Sequence, residues 1–207
     1  MQPFHLYGLI IGISFVIGIS YFSRHNHTIP KSKENLFIFL LFLFSIIGAR
    51  LYHVIDQYQY YFQHPAQILQ TWNGGLGIYG GLIFALIFIF LFSKIYHLNF
   101  LKILDTITPI IPLCQAIGRL GNFFNHEIPT WWLEASLNLF LFFLLRRSRQ
   151  PTAHYLISYG LIRFFIEFFR SDTWQLGIFK IAQLISLVFI FAGIWLLSHH
   201  HTTTGNK

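Results

Sequence analysis

Apolar runs recur along the chain at 6–22, 36–55, 76–92, 100–124, 131–145, 155–169 and 178–197. A membrane span needs about 20 mostly apolar residues, so seven spans take about 140 positions. That leaves short loops in a 207-residue chain and no room for a sizeable extracytoplasmic domain. Only 10% of residues are charged and 55% are hydrophobic. An ordinary soluble domain carries roughly 25% charge, so a soluble globule of this size would be left uncovered. Disorder requires the opposite composition, low hydrophobicity with high charge. The sequence therefore reads as an all-α integral membrane protein of seven transmembrane helices. Residues 1–198 form a single membrane domain, followed by a short polar tail, 199–207.

Net charge is +7, which in a soluble protein would suggest nucleic acid. The positions of the charges decide otherwise, and no nucleic-acid partner is expected. Arg24, Lys31 and Lys33 follow the first run, Lys94 and Lys102 the third, Arg146, Arg147 and Arg149 the fifth, and Lys207 ends the tail. These nine of the 14 basic residues lie on one side, while the opposite loop, 56–73, has none. By the positive-inside rule the N-terminus is outside and the C-terminus cytoplasmic, which requires an odd number of spans. The leader before the first run has no positive charge and no small-residue cleavage site follows, so that run stays as a helix. Cys114 has no second cysteine to pair with and reads as a packed thiol. The tail His199-His200-His201 can bind a metal or simply be solvated. Three consecutive histidines cannot all face one ion on a helix, so neither a metal nor a cofactor is expected.

The fourth and fifth runs carry Asp105, Pro109, Pro112 and Arg119, and Glu134 and Asn138. Polar groups and helix breakers at membrane depth are tolerated where they face protein or a wet cavity, so these two helices are expected to line a site. Five basic residues lie outside the cytoplasmic loops: Arg50, Arg119, Arg163, Arg170 and Lys180. Each costs about 2.5–3.5 kcal/mol at the centre of a span. Ion pairing offsets that cost, as for Arg163 and Glu167 at i,i+4. Snorkelling can do so for Arg170 and Lys180, and an anionic ligand held by two parallel hydrogen bonds is the third possibility.

Three blocks carry the chemistry. Gly118-Arg119-Leu120-Gly121-Asn122-Phe123-Phe124-Asn125-His126-Glu127 places an arginine, two amides and a carboxylate at an apolar helix end. Gly118 and Gly121 there would let a backbone or a lipid head group come close. Tyr159, Arg163 and Glu167 form a polar stripe on a Phe-rich helix, readable as a structural ion pair or as part of a site. Between Trp72 and Gly81, five glycines in eight residues read as close helix packing or as a backbone-lined groove.

Together the blocks resemble the prolipoprotein diacylglyceryl transferases, enzymes of the bacterial inner membrane. The 118–127 block matches that family's G-R-x-G-N-F-x-N-x-E signature, and 159–170 its Y-G-x-x-R-x-x-x-E-F-x-R segment. Gly48-Ala49-Arg50-Leu51, the glycine cluster near Tyr79 and Tyr7-Gly8-Leu9 fall in the family's order. The resemblance implies transfer of a diacylglyceryl group from phosphatidylglycerol to the lipobox cysteine thiol of a secreted prolipoprotein, releasing glycerol phosphate. The implied partners are phosphatidylglycerol, the prolipoprotein signal-peptide region and membrane lipid, at a multi-pass protein of the inner membrane.

The resemblance also assigns roles. Arg119 and Arg163 would clamp the phosphate, and Asn122, Asn125 and Glu127 would orient the glycerol ester. Glu167 would orient Arg163, while Tyr7 and Tyr159 would line the head-group cavity. Arg50, Gly118, Gly121, Glu134 and Arg170 complete the substrate-binding set. Tyr79 stands where the family has the histidine of S-F-H-G-G, and a phenol is a poor general base at neutral pH. Glu127 is followed almost at once by Ile128-Pro129-Thr130-Trp131-Trp132-Leu133-Glu134, which resembles a later family block, H-P-S-Q-L-Y-E. An outer segment between the two is therefore missing. Two alternatives follow: a paralogue using the same lipid donor with a non-protein acceptor, and a non-enzymatic lipid-binding or transport protein on the same scaffold.

Overall fold

The computed structural model describes residues 6–125, 130–169, 175–176 and 179–204, without the side chains of 6, 7, 125, 175, 176, 179 and 199–204. Among these residues the α-helices are α1 (Leu6–His25), α2 (Lys31–Asp56), α3 (Tyr58–Gln63), α4 (Ile78–Ile95), α5 (Phe100–Ile107), α6 (Ile110–Asn125), α7 (Trp131–Leu145), α8 (Pro151–Ile166) and α9 (Ile181–Thr204). Tight 3-10 turns cover Pro65–Leu69, Thr71–Asn73 and Glu167–Phe169. One addition to the all-helical expectation is a two-residue antiparallel pairing, β1 (Gln175–Leu176) with β2 (Phe179–Lys180).

Five segments are long and apolar enough to cross a membrane: Gly8–His25, Lys31–Asp56, Ile78–Ile95, Phe100–Phe124 and Ile181–Ser198. The other two runs of the sequence become α7, of 15 residues, and α8, of 16. At 1.5 Å per residue each is shorter than a bilayer core of about 30 Å. Pro151 opens α8 at its first turn, where a missing N–H costs nothing. Its α-helical hydrogen bonding gives way to the 3-10 turn at Glu167.

The fourth run, expected as one helix, breaks at its prolines. Pro109 disfavours the helical region for the residue before it, and α5 stops at Ile107. Thr108 Oγ1 donates back to the Leu104 carbonyl at 2.7 Å. Pro112 falls in the first turn of α6, where proline is tolerated. Asp105, expected to line a site, instead accepts the Thr152 N–H at 3.0 Å and so caps the start of α8.

The chain divides into two compact units, one of 27–103 and one of 1–26 with 104–207. In the first, α2 and α4 pack through glycines. A Cβ on Gly80 would collide with the Gly48 carbonyl and Tyr52 Cβ, and one on Gly48 with Phe84. The glycine cluster is thus used for packing at this position. Phe37, Phe88 and Phe92 form the aromatic core beside it, with Phe37 and Phe92 edge to face at 4.9 Å.

In the second unit α6 packs against α1 and α7, and α8 against α9 and α7. Cys114 lies against Ser14, the Ser14 hydroxyl donating to the Cys114 carbonyl at 3.3 Å. Leu141, Leu145 and Tyr155 make the buried centre, with Ile111, Tyr159 and Ile162 packed on it. Val188 and Phe191 of α9 and Phe140 of α7 remain outward, an apolar exterior suited to lipid.

Candidate functional site

The site is built on three amphipathic stripes of the larger unit. On α6, Gln115, Arg119 and Asn122 recur at i, i+4 and i+7 and so share a face. On α7, Glu134, Asn138, Leu141 and Leu145 do the same, and all four are buried. On α8 the stripe is Tyr155, Tyr159, Arg163 and, one residue past the helix, Glu167.

Arg119 and Glu134 meet between α6 and α7. Arg119 Nη2 lies 2.5 Å from Glu134 Oε2, and the Glu134 side chain is 4% exposed against 24% for Arg119. Thr130 donates to Glu134 Oε1 at 3.3 Å, and Arg119 Nη1 donates to Asn122 Oδ1 at 3.4 Å. The carboxylate is therefore held by two donors, one on each oxygen. The remainder of the guanidinium has no partner among the described residues, and it is the more exposed member of the pair. A buried ion pair tolerates this only with its geometry fixed, and the pair keeps donors ready for an anion.

Arg163 and Glu167 form the second pair, Nη2 to Oε2 at 3.2 Å, with the Glu167 side chain fully buried. Neither carboxylate oxygen has an aligned hydrogen-bond donor, and Arg163 Nη1 is likewise buried and unpaired among the described residues. Lys180 Nζ donates to the Glu167 main-chain carbonyl at 2.5 Å, tying the end of α8 to the start of α9 rather than snorkelling outward. Between the two pairs, Tyr155 and Tyr159 stack at 5.2 Å, and the Gln115 amide donates to the Tyr155 hydroxyl at 3.1 Å.

Gly118 is half-buried, and a Cβ there would meet only Ile11 Cδ1 at 3.8 Å. No backbone approaches it closely among the described residues, so this face of α6 has room for a side chain or a ligand group. Gly121 is buried on the same helix.

Arg50 and Tyr79 belong to the smaller unit. Arg50 donates from Nε to the Ile68 carbonyl at 2.8 Å, from Nη1 to Gly74 and Gly75 at 2.7 and 3.0 Å, and from Nη2 to Gln67 at 2.6 Å. Its guanidinium also lies over the Tyr61 ring at 5.2 Å. Four of its five N–H groups are thus engaged by the 65–75 loop, leaving one for any substrate. Gly74 and Gly75 have φ of +85° and +73°, a backbone turn that aims both carbonyls at Arg50. Tyr79 is half exposed in the first turn of α4, its ring 6.2 Å from that of Tyr52.

Glu127 and Arg170, and the side chains of Tyr7 and Asn125, lie outside the described residues. So do the side chains of the His199–His201 tail. Two groups of the site, Gln115 and Thr130, were not singled out by the sequence, and Asn138 was named there only as a polar group at membrane depth. Spacing was the available signal, since Gln115 is i−4 from Arg119 and Asn138 is i+4 from Glu134.

Comparison with known proteins agrees with the motifs. The family model for prolipoprotein diacylglyceryl transferase matches residues 1–131 and again 128–199. Three similar proteins carry the name phosphatidylglycerol–prolipoprotein diacylglyceryl transferase. That of Clostridium novyi (strain NT) is 38% identical over 92% of this chain and 89% of its own. That of Finegoldia magna is 35% identical over 91% and 88%, and that of Fervidobacterium nodosum 33% identical over 90% and 78%. The family match falls in two parts that meet at 128–131, the place where the sequence leads one to expect an outer segment to be missing. The alignment with the Clostridium protein has 229 positions, whereas 92% of 207 residues is about 190, so about 39 positions are filled by the relative alone.

Proposed function

This chain belongs to the prolipoprotein diacylglyceryl transferase family, and we propose that it performs the reaction its relatives are named for. It moves a diacylglyceryl group from phosphatidylglycerol to a cysteine thiol of a prolipoprotein. The thiolate sulfur attacks the glyceryl carbon that bears the phosphate ester oxygen. A sulfur–carbon bond forms, the carbon–oxygen bond breaks, and glycerol phosphate departs with the bonding electrons. The thiol proton leaves to a base before attack, because the thiolate is the nucleophile.

The observation that carries this reading is the Arg119–Glu134 pair, a partly exposed guanidinium held by a buried carboxylate, with donors still unpaired among the described residues. Charge accumulates on the departing phosphate, and positioned donors in a water-poor interior stabilise it far better than water does. Arg163, oriented by Glu167, supplies the second clamp. Asn122, Asn125 and Glu127 orient the glycerol ester, Tyr7 and Tyr159 line the head-group cavity, and Gly118, Gly121 and Arg170 shape its mouth. Tyr79 stands at the position of the family's histidine.

In the bilayer α7 and α8 serve as two further spans beside the five long ones, giving seven across one membrane domain, 1–198. The basic loops support an N-terminus outside and a cytoplasmic tail, 199–207, in the bacterial inner membrane. Short spans are accommodated by local thinning.

A second reading keeps the lipid donor and changes the acceptor. Tyr79 and the missing segment after Glu127 favour it, since the first replaces the expected proton acceptor and the second removes a segment that the resemblance links to admission of the preprotein. Expression in a bacterial host depleted of its own transferase separates the two. Growth with lipidated lipoproteins supports the first, and a new glycerolipid without lipidated protein supports the second. Neither product, from protein shown to be folded in the membrane, sinks both.

A further inference from the structure

We propose that Asn138 is a further substrate-binding residue, its side-chain carbonyl accepting a hydrogen bond from a hydroxyl of the lipid donor's head-group glycerol. The inference rests on the donor reading above and names the group that one part of that site recognises. Asn138 is 4% exposed, and its Oδ1 is buried without any hydrogen-bond partner among the described residues. Burying an amide oxygen unpaired is unfavourable, and native interiors pair nearly all such atoms. An apolar side chain of similar size would avoid the penalty, so the retained amide asks for a partner that arrives from outside the chain.

Position narrows what that partner is. α6 and α7 are joined by a short connection and pack along each other, hence antiparallel. With Arg119 paired to Glu134, the same register sets Gln115 level with Asn138, one turn or about 6 Å further in. Beyond that level α7 presents Leu141 and Leu145, packed with Ile111. The interior therefore runs from a guanidinium, through a layer of neutral hydrogen-bonding groups, to an apolar floor. In that middle layer Gln115 and Tyr155 already bond to each other, so the unfilled capacity is the Asn138 oxygen.

An amide oxygen only accepts. Phosphate and ester oxygens bring it no proton, whereas a hydroxyl does. A ligand with an anionic group at the Arg119 level and a hydroxyl about 6 Å away has the chemistry of a polyol phosphate. The glycerol phosphate end of phosphatidylglycerol fits that description, its phosphate beside Arg119 and a hydroxyl at Asn138.

The test compares short-chain phosphatidylglycerol with two analogues in which one or the other head-group hydroxyl is replaced by hydrogen. Dissociation constants and transfer rates are measured on the full-length protein in detergent, as wild type and as Asn138→Leu, with Asn138→Ala used where the leucine variant does not accumulate. Wild type is expected to bind one analogue about tenfold more weakly than phosphatidylglycerol, the scale of one well-made hydrogen bond. The variant is expected to bind phosphatidylglycerol that weakly already and to lose no more than twofold further on the analogue. Equal discrimination by wild type and variant, or none by wild type, overturns the proposal and leaves Asn138 a partner of trapped water. Absence of transfer with binding intact overturns the reaction proposed above, while the binding comparison still decides Asn138.

Discussion

Glu134, in the first turn of α7, reaches Arg119 on α6 across the site, Oε2 to Nη2 at 2.5 Å, with the carboxylate buried deeper than the arginine. The acid thus acts as the fixed back wall and the arginine as the working face. Removing the wall leaves a mostly buried cation without its counter-charge, a change that costs about 3–5 kcal/mol at fully buried pairs and less here because Arg119 keeps some exposure. Glu134→Ala should lower thermal stability in detergent by several degrees and transfer by at least tenfold. Glu134→Gln should recover most of the stability but not the rate, because a neutral amide holds the guanidinium less firmly. Arg119→Ala should abolish transfer while the protein still reaches the membrane, with a loss of thermal stability at least as large as that of Glu134→Ala, because it leaves the 4% exposed Glu134 carboxylate without its counter-charge. Full activity in that variant would remove Arg119 from the site.

Arg50 gives a different prediction because its contacts are with main-chain carbonyls of the 65–75 loop. A lysine has one ammonium in place of a planar fork and cannot serve carbonyls spread over Gln67, Ile68, Gly74 and Gly75. Arg50→Lys and Arg50→Ala should therefore behave alike, with limited proteolysis within 65–77 accelerated several-fold in both. An Arg50→Lys protein as resistant as the parent would show the charge alone to be sufficient.

The glycines separate by what surrounds them. A methyl group on Gly80 would meet the backbone of Gly48, which cannot yield, whereas one on Gly118 meets only the tip of Ile11 at 3.8 Å. Gly80→Ala should destabilise by about 1–3 kcal/mol, the usual range for overpacking. Gly118→Ala should hold or raise stability, since alanine favours a helix interior by up to about 1 kcal/mol. If Gly118 admits the lipid head group, the same variant should raise the KM for phosphatidylglycerol several-fold. Unchanged kinetics would assign the glycine no part in binding.

The sequence revealed the parts whose signal is local. The spacing of Arg163 and Glu167 marked their pairing. It did not reveal Glu134 as the partner of Arg119. That pairing is set by the α6–α7 register, which no local pattern encodes. The staple at Arg50 was hidden for another reason: its acceptors are carbonyls, which every residue has. The count of spans depended on where α7 and α8 end, and apolar runs set such ends only to within a turn.

Tyr79 offers the test of the proton's route. The family resemblance drawn from the sequence sets a histidine at this position, and an imidazole accepts a proton near neutral pH where a phenolic hydroxyl does not. The tyrosine ring is half exposed at the start of α4, with space around it for a smaller ring. Tyr79→His is therefore expected to raise transfer at pH 7 and to change the pH profile. The new base works only when unprotonated, so the ratio of variant to parent rate should climb as pH rises through about 6.5 and then level off. Dividing by the parent rate removes the titration of the acceptor thiol, which both proteins share. Tyr79→Phe supplies the complement: a loss of tenfold or more means the phenolic oxygen takes part in the proton transfer. Equal rates for parent and Tyr79→Phe, with no pH-dependent gain from the imidazole, would move the proton's destination away from α4 and toward the departing phosphate.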